Sequence, residues 1–349
     1  MERTNKLNHN HNNDDMIVSS RSDAINTISS EPKRPNKRKI LLMGKSGSGK
    51  SSMRSIIFSN YAAKDTRRLG ATIDIDLSHV RFMGNLTLHL WDCGGQDAFM
   101  ETYLSQQRQH IFSNVGVLIY VFDVESRDFE RDLLTYRSIV TALSQFSPTA
   151  SIYILIHKMD LIIPNQRDNI FADRISPIHS KSEPFSPKPF ATTIWDQSLY
   201  KAWAMIIHDL VPNLEQIEHN LHTLGKLIMA EEVLLFERSS FLIITKWLSE
   251  ISVENPTTDR FERISNIIKN FKQTTSRYTG TLRSAEQFIL MEIKLSNFSM
   301  FMTKFTTNTY LAVILAPGEE TFNSAVENCY LARKEFENLD SPIPKRTTH

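Results

Sequence analysis

Between residues 39 and about 209, short apolar runs recur at 39–43 (KILLM), 86–91 (LTLHLW), 115–122 (VGVLIYVF) and 152–156 (IYILI), with a shorter one near Ala191. Each has the length of a strand, and amphipathic helical stretches stand between them. Strands alternating with helices predict an α/β domain with a mostly parallel sheet and ligand loops at the carboxyl ends of its strands. After Pro212 the period changes. Leu214, Ile217, Leu221, Leu224 and Ile228 are spaced three and four apart, as one face of a helix requires. A hairpin-like pair follows, 233–237 (VLLFE) and 241–247 (FLIITKW), separated by Arg238, Ser239 and Ser240. A second helical period carries Phe261, Ile264, Ile268 and Phe271, and three strand-like runs come after it: 288–293 (FILMEI), 298–305 (FSMFMTKF) and 309–315 (TYLAVIL). A last helix is predicted from about Glu320 to Leu339. Strands in succession, broken by one helix and closed by another, predict an α+β domain with a largely antiparallel sheet.

Composition changes this picture at the ends and in what it excludes. Residues 1–37 are rich in Asn, Ser, Asp and Lys without a hydrophobic period, which predicts a disordered polar extension in which His9 and His11 are solvated. Residues 343–349 read as a flexible tail, so the expected domains are 38–211 and 212–342. Lys and Arg total 40 against 39 Asp and Glu, which leaves no global basic field for a nucleic-acid backbone. Any phosphate binding must be local. Cys93 and Cys329, the two cysteines among 349 residues, build neither a disulfide framework nor a Cys-x-x-Cys metal pair, which points to a reducing cytosolic compartment. No apolar run approaches the roughly 18 residues of a membrane span. The first residues lack an apolar core and a glycine at position 2, and the last lack a prenylatable cysteine, so the expectation is no direct membrane insertion.

Candidate chemistry starts where KILLM runs into glycines. Gly44, Lys45, Ser46, Gly47, Ser48, Gly49, Lys50 and Ser51 match G-x-x-x-x-G-K-[ST], followed by Ser52 and a helical run. Such a loop turns its backbone N–H groups around a β-phosphate at a helix N-terminus. Lys50 is expected to reach the β and γ oxygens, and the Ser51 hydroxyl to ligate Mg²⁺. LTLHLW ends in Asp92, the second acidic arm to the metal, within the D-x-x-G-Q spacing of Asp92 to Gln96. Gly95 allows close approach to a γ-phosphate, and Gln96 carries an amide able to position an attacking water. Thr72, in a segment between helix and strand, is the candidate to complete the metal shell and to order only with a triphosphate. Arg67 and Arg68 precede it, solvated or acting as a stabilising finger in cis. Cys93 is expected to be a buried thiol.

IYILI leads into His157, Lys158, Met159 and Asp160. A carboxylate at Asp160 accepts from both N1–H and the N2 amino group of guanine, whereas adenine turns a lone pair toward it. Lys158 is expected to lay its aliphatic stem over the nucleoside, and His157 to tie this loop to the base and the phosphate loop through a ring nitrogen.

The succession GKSGSGKSS, GATID, WDCGGQ, HKMD and TTIWD resembles the Rag family of small GTPases, specifically the RagA/RagB-type subclass with its fungal Gtr relatives, from about Lys39 to the end. The resemblance implies a Ras-like P-loop GTPase domain followed by a roadblock/longin-type dimerisation domain. It implies that Ile194 contacts the guanine, since Thr193-Ile194-Trp195 stands where related GTPases carry Ser-Ala-Lys. The implied ligands are GTP or GDP with Mg²⁺ held by Ser51, Thr72 and Asp92. The catalytic residues would be Gln96, Lys50 and Thr72, hydrolysing GTP slowly with the help of an activating complex. The implied partners are a RagC/RagD-type GTPase, a Ragulator-like scaffold at the lysosomal or vacuolar surface, and the target-of-rapamycin kinase complex. The nucleus is a second location. A non-hydrolysing nucleotide-bound scaffold and an ATP-dependent phosphotransferase are the competing readings.

Overall fold

A computed structural model describes residues 37–59, 61–81, 87–211, 213–238, 240–250, 267–268, 270–271, 274 and 289–340. The polar N-terminal extension, the tail and most of the helical period at 261–271 lie outside the described residues.

The first sheet has the order β2-β3-β1-β4-β5-β6. Its strands are β1 (Lys37–Met43), β2 (Ile75–Arg81), β3 (Thr87–Cys93), β4 (Val115–Asp123), β5 (Ser151–His157) and β6 (Lys188–Thr192). Around it run α1 (Lys50–Phe58), α2 (Asp97–Leu104), α3 (Arg108–Phe112), α4 (Phe129–Phe146), α5 (Arg167–Lys181) and α6 (Ser198–His208). β1 shows why the strands read as continuous apolar runs. Ile40 and Leu42 face one core while Leu41 and Met43 face another, because a strand alternates sides and both sides are covered. The strand order reverses at β1, which pairs in parallel with β3 on one side and β4 on the other. A ligand crevice is expected outside the carboxyl end of such a strand, and Gly44 follows Met43 there.

β2 is the element the hydrophobic pattern does not predict. It pairs antiparallel with β3, from Ile75 opposite Cys93 to Arg81 opposite Thr87, and forms the sheet edge. As an edge strand it carries Asp76, Leu77 and His79 in exposed positions, so its sequence lacks the apolar run that marked its neighbours.

The second sheet has the order β8-β7-β11-β10-β9 and is antiparallel throughout, as expected. It comprises β7 (Glu232–Glu237), β8 (Ile243–Leu248), β9 (Leu290–Lys294), β10 (Ser299–Lys304) and β11 (Thr309–Leu315). α7 (Leu214–Leu227) and α8 (Glu319–Asp340) pack on one face. The apolar cluster beneath them does not stop at this sheet. Ile217 and Leu221 of α7, and Val313 of β11, belong to the same buried cluster as Trp203 and Ile207 of α6 and Ile40 of β1.

Candidate functional site

The phosphate loop bends at Gly44, Gly47 and Gly49, with φ of 142°, 80° and 99°. Two glycines are also required by close approach. A Cβ on Gly95 would lie 2.3 Å from the Gly44 carbonyl oxygen, and one on Gly49 would lie 2.6 Å from Cδ2 of His157. The Gly95 segment therefore rests directly on the loop, held by the Ser46 N–H donating to the Gly95 carbonyl at 2.8 Å. Lys50 opens α1 and folds back over the loop, its Nζ donating to the carbonyls of Gly44 and Lys45 at 2.8 and 2.9 Å. Burial pushes its amine down to about 8, against the opposing pull of Asp92. Ser46 and Gly47 are exposed at the loop tip, Ser48 is fully buried, and Ser52 is half-buried in the first turn of α1.

Beside the loop, the hydroxyls of Ser51 and Thr72 are in direct hydrogen-bond contact. Asp92, at the end of β3, is fully buried, and neither carboxylate oxygen has a hydrogen-bond donor. Arg54 Nε lies 3.3 Å from one of them. Burial raises the Asp92 pKa, and Ser51, Arg54 and Lys50 oppose that shift. A buried carboxylate ion-paired to Arg54 but without a hydrogen bond, next to two hydroxyls, is a set of hard oxygen donors. It fits Mg²⁺, which uses one or two carboxylates and takes its remaining ligands from substrate phosphate and water. Gln96 follows Gly95 and is exposed at the start of α2. Arg67 and Arg68 end a short turn, Ala63–Arg68, and both are exposed. Arg67 is directed at the indole of Trp195, 6.0 Å from the ring centroid. Cys93 is fully buried and its thiol is pushed up to about 12.

The loop after β5 is organised by side-chain pairs, in which His157, Thr192 and Thr193 are buried and Asp123, Lys158 and Asp160 half-buried. His157 Nδ1 is 2.9 Å from the Thr192 hydroxyl, and burial pushes the ring down to about 4. The imidazole is thus neutral, in contact with the phosphate loop at Gly49 on one side and with β6 on the other. Lys158 stands at φ 66°, and its Nζ donates to Asp123 at 2.6 Å. Asp160 accepts from the Thr193 hydroxyl, while the Thr193 N–H donates to Ser198 Oγ at 2.9 Å. Ile194 is half-buried against the main apolar cluster.

Phosphate loop, Thr72, Asp92, Gly95 and Gln96 are gathered at one end of the site, and His157, Lys158, Asp160 and Ile194 at the other. Four polar residues to which the sequence assigns no role hold them, two of which, Thr192 and Thr193, stand in the TTIWD stretch. Arg54 joins α1 to Asp92, to Asp76 and, at 2.8 Å, to Ser78. Asp123 secures Lys158, Thr192 secures His157, and Thr193 secures Asp160. Arg54 had a signal, one turn after Lys50 on the same helix. The other three are single polar residues at strand ends, recognisable only once the strands are placed side by side.

A mostly parallel sheet with a glycine loop at its switch point, a buried carboxylate on the adjacent strand and a carboxylate after β5 define a Ras-like P-loop G protein. The "Gtr1/RagA G protein conserved region" matches residues 39–268. "GTP-binding protein gtr1" of Schizosaccharomyces pombe is 52% identical over 303 residues, covering 86% of this chain and 96% of its own. "Ras-related GTP-binding protein B" of Rattus norvegicus is 47% identical over 337 residues, covering 88% of both chains. "GTP-binding protein gtr2" of S. pombe is 26% identical over 298 residues, covering 82% of this chain and 92% of its own. The chain belongs to the Gtr1/RagA family of small GTP-binding proteins, on the RagA/RagB side of it.

Proposed function

We propose that this protein is a nucleotide-controlled switch that hydrolyses GTP slowly to GDP and phosphate and depends on an activating protein for speed. The observation that carries the reading is the contact of the Ser51 and Thr72 hydroxyls beside the buried carboxylate of Asp92, which accepts no hydrogen bond. These three residues would hold Mg²⁺, which supplies charge neutralisation on the phosphates. When nucleotide enters, Lys50 exchanges the loop carbonyls for phosphate oxygens. The loop N–H groups of residues 44–52 surround the β-phosphate. Gly95 brings its N–H to the γ-phosphate, and the Gln96 amide, free in solvent at the rim, orients the attacking water. Asp160, aimed by Thr193, reads the guanine N1–H and N2 amino group, with His157, Lys158 and Ile194 as the walls of that subsite. Arg67 points to the nucleoside end, which favours an activating protein as the source of transition-state charge.

The C-terminal half pairs with a Gtr2- or RagC/RagD-type GTPase. In support, Ile289, Leu290, Ile293 and Leu295 are exposed along the edge strand β9 and its flanks. Among the described residues no helix is long and apolar enough to cross a membrane. In the proposed reading the pair is held at a lysosomal or vacuolar surface by a Ragulator-like scaffold. In its GTP state it recruits the target-of-rapamycin kinase complex in response to amino acids.

Single-turnover hydrolysis with and without a cell-derived activating fraction tests the switch. Stimulated turnover that is lost in Gln96→Leu supports it. No turnover under any condition would leave the non-hydrolysing scaffold. Sedimentation of the chain with a RagC-type partner tests the pairing, and two separate monomers would contradict it.

A further inference from the structure

The loop between β6 and α6 carries a large aromatic side chain for which the guanine subsite just described has no use. Trp195 is 52% exposed, although its backbone is fixed: its N–H donates at 3.3 Å to the Thr193 hydroxyl that in turn donates to Asp160. The indole thus stands two hydrogen bonds from the base-reading carboxylate with much of its surface uncovered. Across from it is Arg67, which comes from a different element, the short turn before Thr72, and has no carboxylate partner among the described residues. Its guanidinium is 6.0 Å from the indole centroid, at the outer reach of a cation–π contact in water.

We infer that Arg67 and Trp195 form a clasp across the mouth of the nucleoside subsite and set how fast the nucleotide leaves. This rests on the guanine-nucleotide reading above and deepens it. An indole face is a stacking surface for a purine or its ribose, and a guanidinium plane stacks on either. A nucleoside between Asp160 and the open mouth gives both groups the partner that each lacks in solvent. The clasp is also tied to the phosphate end. Arg67 is five residues before Thr72, whose hydroxyl meets Ser51, and Gly70 between them has no neighbour within 4 Å of where a Cβ would stand. Holding Thr72 at the metal shortens the excursion open to Arg67, so the phosphate content of the nucleotide biases the clasp at its other end. This places Arg67 in retention of the nucleotide, with no part in stabilising the transferring phosphoryl group.

The test is the rate at which the full chain, loaded with a fluorescent GDP, releases it into excess unlabelled GDP. Trp195→Ala is expected to speed release on the order of tenfold, the scale of one stacking contact, and Arg67→Ala to speed it in the same direction. The double variant should release no faster than Trp195→Ala, and Trp195→Phe should restore much of the retention. Release at the parental rate from Trp195→Ala, or from the surface variant Arg67→Ala, overturns the clasp. Accelerations that multiply independently overturn the coupling between the two residues. Failure of the parental chain to bind guanine nucleotide at all is a different result, and it overturns the reading on which the clasp rests.

Discussion

The two ends of the nucleotide site are built from different materials. At the phosphate end backbone lies on backbone: Gly95 touches the carbonyl of Gly44, three glycines of the loop stand at positive φ, and Lys50 closes onto main-chain oxygens. At the base end the contacts run between side chains: His157 to Thr192, Lys158 to Asp123, Asp160 to Thr193. Backbone geometry tolerates few residue types and so leaves a motif. Side-chain pairs tolerate more variety, so long as every buried polar group keeps a partner.

That contrast can be broken experimentally. The largest effect belongs to Asp160. Asp160→Asn replaces an acceptor-only carboxylate by an amide that offers a donor to N1–H. The preference for GTP over ATP in competition binding is expected to fall by on the order of 10⁴-fold; retained preference would move base reading elsewhere. His157 comes next. Its ring is held near 4 against an ordinary 6.5, so the unfolded chain takes up a proton more readily than the folded one between those values. Its contribution is complete above about pH 6.5 and is lost as pH falls toward 4, amounting to about 3 kcal/mol. Denaturant unfolding of His157→Gln should lack that slope, whereas an unchanged slope would assign it to other groups.

Gly95→Ala forces a Cβ into the phosphate loop. Overpacking against fixed backbone costs about 1–3 kcal/mol, and GDP affinity measured by fluorescence titration should drop by up to about a hundredfold. Full affinity would mean that the two segments separate freely. Thr193→Val keeps the shape and removes the donor to Asp160. A bond to a charged group is worth about 1.5–3 kcal/mol, so a loss of GDP affinity of about tenfold to a hundredfold is expected, with phosphate contacts intact. A larger loss than that of Gly95→Ala would invert the comparison drawn above.

Legibility in the sequence followed the same division. The phosphate loop, Asp92 and Gly95 announce themselves because backbone constraints act over adjacent residues. Asp160 is readable because a carboxylate has one geometry toward guanine. Thr192 and Thr193 stand in the TTIWD stretch, but their contacts to His157 and Asp160 were unreadable, since those depend on β6 lying beside β5, a pairing that no local pattern encodes. β2 escaped for another reason: an edge strand with Asp76, Leu77 and His79 toward solvent loses the apolar contrast from which strands are recognised. Arg54 joins these two failures, as it ties α1 to that unrecognised strand through Asp76 and Ser78. The C-terminal strands were plain because alternate residues of β10 and β11 are buried on both faces of their sheet.

The buried cluster that runs from Ile40 through Trp203 and Ile207 to Ile217 and Val313 has a consequence for how the chain comes apart. Apolar surface shared by two sheets cannot be hydrated on one side alone, so melting of either half strips cover from the other. A calorimetric scan of the chain should show a single endotherm whose van't Hoff and calorimetric enthalpies agree. Evolution inherits the same restriction: the half that binds nucleotide and the half that carries the antiparallel sheet must vary together where they meet.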